Sequence, residues 1–277
     1  MIDSDDERLL DFVQQYPRLF VLTGAGCSTA SGLGDYRDAQ GQWKRRQPIT
    51  GQVFIGDEAA RKRYWARSFV GWPGFSRAQP GEAHHALAAL QQADRLELLV
   101  TQNVDRLHQK AGHQDVLDLH GVLATVSCIQ CAHSLSRDDY QIELLANNAW
   151  LASLTAAHAP DGDADLEPDD LQQMHVPPCP RCGGLLKPDV VFFGENVPRA
   201  QVERAMNALE SADALLVAGS SLMVYSGFRF CRAAQNSDKP IVLINDGLTR
   251  ADALATLKVG GDCGQRLRTM TEQLVHP

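Results

Sequence analysis

Five short apolar runs, each closing on a polar or glycine-rich signature, limit this chain's fold more than any other feature. They are RLFVLTG (18–24), RLELLVTQ (95–102), DVLDLHG (115–121), ADALLVAGSS (212–221) and KPIVLIND (239–246). Runs this short and this continuously apolar suit strands covered on both faces, the habit of parallel sheets. Helical patterns separate several of them: GEAHHALAALQQA (81–93), PRAQVERAMNALES (198–211) and GFRFCRAAQNS (227–237). A further amphipathic pattern, DDERLLDFVQQ (5–15), precedes the first run. The alternation predicts an α/β fold, a Rossmann-like parallel sheet with helices on both faces. Such sheets bind ligands beyond the carboxyl ends of their strands, which is where the polar signatures lie.

Two stretches break the alternation. Residues 41–80 carry QWKRRQ and RKRYWARSFVGWPGF and read as a helical insertion. Residues 124–186 hold two C-x-x-C pairs and read as a separate small module. The Rossmann-like core then comprises 1–40, 81–123 and 187–277. Within the module, HAPDGDADLEPDD (158–170) has the composition of a surface loop. A net charge of −8 argues against nucleic-acid binding. Apolar runs such as ADALLVAGSSLMV are too short to span a bilayer, and the acidic start, MIDSDDERLLDF, suits neither a secretory nor a transit peptide. A cytoplasmic setting without a membrane partner is the expectation.

The seven cysteines are an odd number, and four of them pair as Cys128/Cys131 and Cys179/Cys182. Two pairs of thiolates on tight turns close a tetrahedral shell around one Zn²⁺ and leave no position for water. This predicts a structural zinc site; the 47 residues between the pairs exceed the usual spacing and imply an insertion. Cys27, Cys231 and Cys263 stand apart, and small-residue packing accounts for Cys231.

The loop TGAGCSTASGLGDYRD (23–38) begins as a dinucleotide-binding turn. Gly24 and Gly26 allow close backbone approach to a phosphate, but Thr29 stands where a third glycine belongs. The acidic ribose partner of nicotinamide dehydrogenases should follow about 20 residues on; the sequence there is the basic QWKRRQ. An oxidoreductase is disfavoured on both counts.

GAGCSTASGLGDYR, TQNVDRLH, LHG, the two C-x-x-C pairs, KPDVVFFGE, GSSLMVYS and IND occur in the order seen in sirtuins, the NAD-dependent protein-lysine deacylases. The resemblance spans roughly residues 15–265 and is greatest to the class II branch. It implies a single sirtuin-type catalytic domain that consumes NAD as co-substrate. The products are nicotinamide, O-acyl-ADP-ribose and free lysine, and the partner is an acyl-lysine protein or peptide. It also implies roles at matching positions. His120 is the general base, acting on a ribose hydroxyl. Asn103 and Asp105 hold the nicotinamide carboxamide and a water, and Gln102 meets the ribose. Ser28 and the amides of Ala25 and Gly26 hold phosphate. Asp35, Tyr36 and Arg37 close over the cut bond. Gly219, Ser220, Ser221, Asn245, Asp246, Gly247 and the backbone of Cys263 hold the adenosine half. VVFFGE (190–195) is read as an extended edge that pairs with substrate, with Val191 accepting the lysine amide, Phe193 walling the acyl tunnel and Gly194 also binding substrate. Gly34 replaces the proline usual before Asp35, which loosens the loop but removes no catalytic group. Tyr64 and Arg67 are three apart on one helix face, matching the Tyr-x-x-Arg pair with which some sirtuins bind acidic acyl groups; a solvated basic face is the competing reading. Protein ADP-ribosylation and a non-catalytic NAD-sensing or zinc-ribbon module are the alternatives.

Overall fold

A computed structural model describes residues 3–35, 37–44, 48–154, 163–164 and 172–275. Tyr36, Arg45 and most of the 158–170 loop lie outside the described residues. The strands are β1 (Leu19–Thr23), β2 (Leu96–Thr101), β3 (Val116–Asp118), β4 (Gly121–Cys128), β5 (Ser134–Ser136), β6 (Leu186–Val190), β7 (Ala214–Ala218), β8 (Ile241–Ile244) and β9 (Leu257–Val259). The helices are α1 (Ser4–Gln15), α2 (Gly51–Gly56), α3 (Glu58–Arg77), α4 (Glu82–Gln92), α5 (Leu107–Lys110), α6 (Arg137–Asn147), α7 (Arg199–Ser211), α8 (Tyr225–Asn236) and α9 (Cys263–Val275). No helix among the described residues is long and apolar enough to cross a membrane.

The chain divides into two compact units. The first, Met1–Arg46, Gln79–Leu119 and Val197–Pro277, carries a six-stranded sheet in the order β3-β2-β1-β7-β8-β9. All five pairings are parallel. Alternate side chains of one strand face opposite layers. Leu19 and Val21 therefore join the layer of α1, α4 and α9, with Leu9, Leu87 and Leu267. Phe20 and Leu22 join the layer of α7 and α8, with Leu209 and Phe230. β1 is buried throughout, which is why its sequence is apolar without alternation.

The second unit, Gln47–Ala78 and His120–Asn196, carries the antiparallel sheet β5-β4-β6 and helices α2, α3 and α6. Its core joins Phe54, Trp65, Phe69, Tyr140, Leu144 and Leu186 to the thiols of Cys128 and Cys179. Pro188 sits in β6, an edge strand, where a missing donor costs least. Arg137 is buried between the rings of Trp65 and Trp72 and donates to Ser68 Oγ and Gln141 Oε1. Burial draws its guanidinium down to about 10.

Candidate active site and zinc centre

The first loop is locked by glycines before any ligand enters. A Cβ on Gly24 would lie 2.7 Å from Ser220 Cβ, and one on Gly26 would lie 2.8 Å from Gly219 Cα. Gly219 has φ +61°, and a Cβ there would lie 2.5 Å from Cys27 N. The loops after β1 and β7 therefore interlock backbone to backbone. Gly24 N–H donates to Ala218 O at 3.1 Å and Gly26 N–H to Gly219 O at 2.8 Å. The Gly26 amide is thus engaged within the protein in this structure. After Gly24 the chain enters a 3₁₀ turn, Ala25–Ser31. The third glycine of a dehydrogenase loop serves close helix–strand packing; no α-helix follows here, and Thr29 Oγ1 instead donates to Gly26 O at 3.0 Å.

Beneath this loop lies a buried polar network. Ser28 Oγ donates to Asp105 Oδ2 at 2.7 Å. Asn103 Nδ2 donates to Ser28 Oγ and Gly24 O, each at 3.0 Å, which spends both amide hydrogens inward. Leu107 N–H donates to Asp105 Oδ1. Burial nevertheless raises the Asp105 carboxyl above its ordinary value. His84 completes the arrangement. Gly81 N–H donates to His84 Nδ1 at 3.1 Å, so the neutral ring carries its hydrogen on Nε2, 3.4 Å from Ser28 Oγ. Gln102 Nε2 donates to Ser220 Oγ at 2.8 Å and joins the ends of β2 and β7.

The remaining expected cofactor residues are held as follows. Asp35 pairs with Lys44. Arg37 stacks on Trp43, 3.9 Å from the ring centre, and donates to Gly41 O. Asn245 Nδ2 donates to Gly247 O, Asp246 Oδ1 accepts from Gly261 N–H, and a Cβ on Gly247 would lie 2.8 Å from Ala39 O. Cys263 opens α9, with its Sγ 3.4 Å from Gly26 O.

Sequence reasoning missed three histidines. His84, His108 and His113 are buried, with ring centres 4.7 and 5.4 Å apart along the series. Thr23 Oγ1 gives its hydrogen to Thr101 Oγ1, so His108 Nε2 donates to Thr23 at 2.9 Å. Burial, the largest cause in each case, brings His84 and His113 down to about 4 and His108 well below its usual value. The unfolded rings take a proton near 6.5. Between pH 6.5 and 4 the unfolded chain thus binds more protons than the folded one, and stability falls as pH falls. The loss at pH 5 is about 2 kcal/mol for each of His84 and His113. Asp105, Lys110 and His85 are the neighbouring charges in this region. Among the described residues neither ring nitrogen of His113 has a hydrogen-bond partner, so His113→Leu is expected to raise the urea midpoint at pH 5 more than at pH 7. An equal shift at both values would show that His113 titrates normally.

The second unit holds the remaining candidates. His120 is half-buried and its carbonyl accepts from Val191 N–H at 2.8 Å. The following Gly121 has φ +81°, and a Cβ there would lie 2.2 Å from Asp189 O. β6 ends at Val190, so the stretch expected to be extended through residue 195 is a strand only at its start. Beyond it, Glu195 Oε2 accepts from Phe192 N–H, and Phe193 O accepts from Gly51 N–H. Lys187 pairs with Glu195 at 3.0 Å and braces this turn. Tyr64 packs edge-on against Phe54 and Phe192. Arg67 Nε meets Asp163 Oδ2 and Ala164 O, each at 3.0 Å.

The four paired cysteines converge, their Sγ atoms all within 4.8 Å of one another. Cys128–Cys182 and Cys131–Cys179 are separated by 3.5 and 3.7 Å. A tetrahedron with Zn–S bonds of about 2.3 Å has S–S edges of about 3.8 Å, so the cluster suits one structural zinc ion. Each pair ends on a left-handed residue, Ala132 at φ +55° and Gly183 at φ +73°. The amides of Cys131 and Gln130 point at Cys128 and hold its thiol down at about 6, which favours the thiolate a metal needs.

Comparison with known proteins decides the family. Residues 24–226 match the model described as the Sir2 family. The chain belongs to the Sir2 family. A relative from Xanthomonas axonopodis pv. citri, an NAD-dependent protein deacetylase, is 59% identical over 95% of this chain and 90% of its own length. Another of the same name, from Bordetella bronchiseptica, is 60% identical over 95% of this chain and 96% of its own. A Sir2 structure with a p53 peptide and NAD+ superimposes with a TM-score of 0.77 at 30% identity, covering 96% of this chain and 97% of its own. A Sir2 variant with deacetylated p53 peptide and 3'-o-acetyl ADP ribose gives 0.78 at the same identity and coverage.

Proposed function

We propose that this Sir2-family chain removes acyl groups from protein lysines at the expense of NAD, giving nicotinamide, O-acyl-ADP-ribose and free lysine. The observation that carries the reading is the Ser28–Asn103–Asp105 network, set beneath interlocked glycine loops at the carboxyl ends of β1, β2 and β7. Its relatives near 60% identity share the activity by name. Asn103 and Asp105 hold the carboxamide and a water, and Gln102 and Ser28 keep the pocket's polar wall in register. Gly219, Ser220, Asn245 and the Cys263 backbone take the adenosine half. His120 acts as general base toward the sugar, with an imidazole suited to accept a proton near neutral pH. The four cysteines would close the shell of a structural zinc ion, which would then take no part in the chemistry. A four-cysteine zinc site suits a reducing, cytoplasmic setting.

The partner is an acyl-lysine peptide. Product mass spectrometry after incubation with NAD and acetyl-, lipoyl- and glutaryl-lysine peptides tests the reading. O-acyl-ADP-ribose supports it; a protein gaining ADP-ribose would favour the transferase alternative. Neutral chains are the expected substrates, because Arg67 already has a carboxylate partner in Asp163. Asp163→Ala is expected to raise glutaryl turnover relative to acetyl several-fold, and adding Arg67→Ala to abolish the gain. An unchanged ratio in both variants would make the pair purely structural.

A further inference from the structure

The thiols of Cys27 and Cys263 approach to 3.9 Å, although 236 positions separate them in sequence. Both are buried, at 2% and 6% exposure. Each also meets a backbone carbonyl, Ala218 O at 3.4 Å from Cys27 Sγ and Gly26 O at 3.4 Å from Cys263 Sγ, and the Asp105 and Asp262 carboxylates act on Cys27 and Cys263 respectively. Neither belongs to the four-cysteine metal cluster. We infer that Cys27 and Cys263 form a reversible disulfide when the protein meets a hydroperoxide, and that this bond loosens the grip on NAD. The second half of the inference rests on the reading of this loop as the NAD-binding loop.

Cys263 is the sulfur that reacts first. It opens a 13-residue helix, whose N-terminal dipole favours a thiolate. The Cys27 thiol beside it also holds it below the ordinary thiol value, whereas Cys27 itself is held well above. The Cys263 thiolate attacks the peroxide oxygen, breaking the O–O bond and releasing the alcohol, or water from hydrogen peroxide. The sulfenic acid formed is attacked by Cys27 sulfur; hydroxide leaves and takes the Cys27 proton as a second water. Two thiols lose two electrons and two protons, and the peroxide gains both.

A disulfide requires about 2.05 Å between sulfurs, so the two must close by about 1.9 Å. Neither side yields freely. Gly26 is pressed against Gly219, and a Cβ on Gly264 would meet Ala83 N at 3.3 Å where α9 packs on α4. Closure therefore shifts either the Gly24–Gly26 turn or the start of α9, and each is a wall of the proposed NAD pocket.

The test uses the full zinc-loaded chain. It is treated with stoichiometric hydrogen peroxide, blocked with N-ethylmaleimide and digested without reduction. A Cys27–Cys263 linked peptide is expected, with zinc retained. The KM for NAD should rise about ten- to a hundredfold, and dithiothreitol should restore it. Cys27→Ser and Cys27→Ala should keep activity and lose the peroxide response. Oxidation confined to Cys128, Cys131, Cys179 and Cys182 with zinc release would overturn the inference. So would an equal peroxide loss in both Cys27 variants, or a linked peptide with unchanged KM. The peptide readout needs no turnover, so an untreated protein that fails to use NAD would count against the proposed function and not against the thiol pair.

Discussion

His120→Ala is expected to lower kcat for acyl transfer by about 10²- to 10⁴-fold, the usual worth of a positioned general base, while leaving the Kd for NAD nearly unchanged. The expectation rests on how firmly residue 120 is placed. Just before it, Leu119 N–H donates to Thr101 O at 2.9 Å and continues the β3 ladder. At 120 itself, the carbonyl accepts from Val191. Just after it, Gly121 lies in a left-handed conformation that has no room for a side chain. These restraints act on the backbone, so alanine removes the ring without releasing the chain. A loss confined to kcat, with NAD affinity and zinc content at wild-type values, identifies a group needed in the transition state rather than in binding. Full turnover in the variant would remove His120 from the chemistry and leave another base to be found.

The sheet was readable from the sequence because its physics is local. Each core strand is a few residues long, apolar on both faces and closed by a glycine or polar residue, as in LFVLT before Gly24. The paired cysteines were readable for a similar reason, since each C-x-x-C turn carries two ligands within four residues. What escaped depends on contacts between residues distant in sequence. His84 lies 56 positions from Ser28, and nothing in AHHAL indicates that its first ring reaches that hydroxyl. β9 has only three residues, LKV, and owes its pairing to β8. VVFFGE has strand composition, but the Glu195 side chain takes the Phe192 amide and turns the backbone away. Gly24 and Gly26 stand out in the sequence, yet the feature that demands them in the folded chain is Gly219, which follows a strand nearly 200 residues away.

Removal of zinc is expected to unfold the second unit rather than merely to open the metal site. Cys128 and Cys179 are core residues, packed with Val126, Tyr140 and Leu186. Without metal, four sulfurs within 4.8 Å of one another are either repelling thiolates or unbonded thiols in an apolar layer. Structural zinc contributes on the order of 10 kcal/mol to small zinc-dependent folds. That is comparable with the whole net stability of a domain, about 5–15 kcal/mol. Trp65 provides the readout: it is fully buried and stands 4.6 Å from the Tyr140 ring. Chelation, or Cys179→Ala, should red-shift tryptophan emission, abolish near-ultraviolet circular dichroism from this cluster and expose the chain around α6 to protease. Restoring zinc to the chelated wild type should reverse all three, because ligand binding to the folded state alone pulls the equilibrium back. A metal-free protein that kept its buried tryptophan signal would mean that the aromatic core of Phe54, Trp65, Phe69 and Tyr140 holds this unit by itself, and that the four thiols are dispensable to the fold.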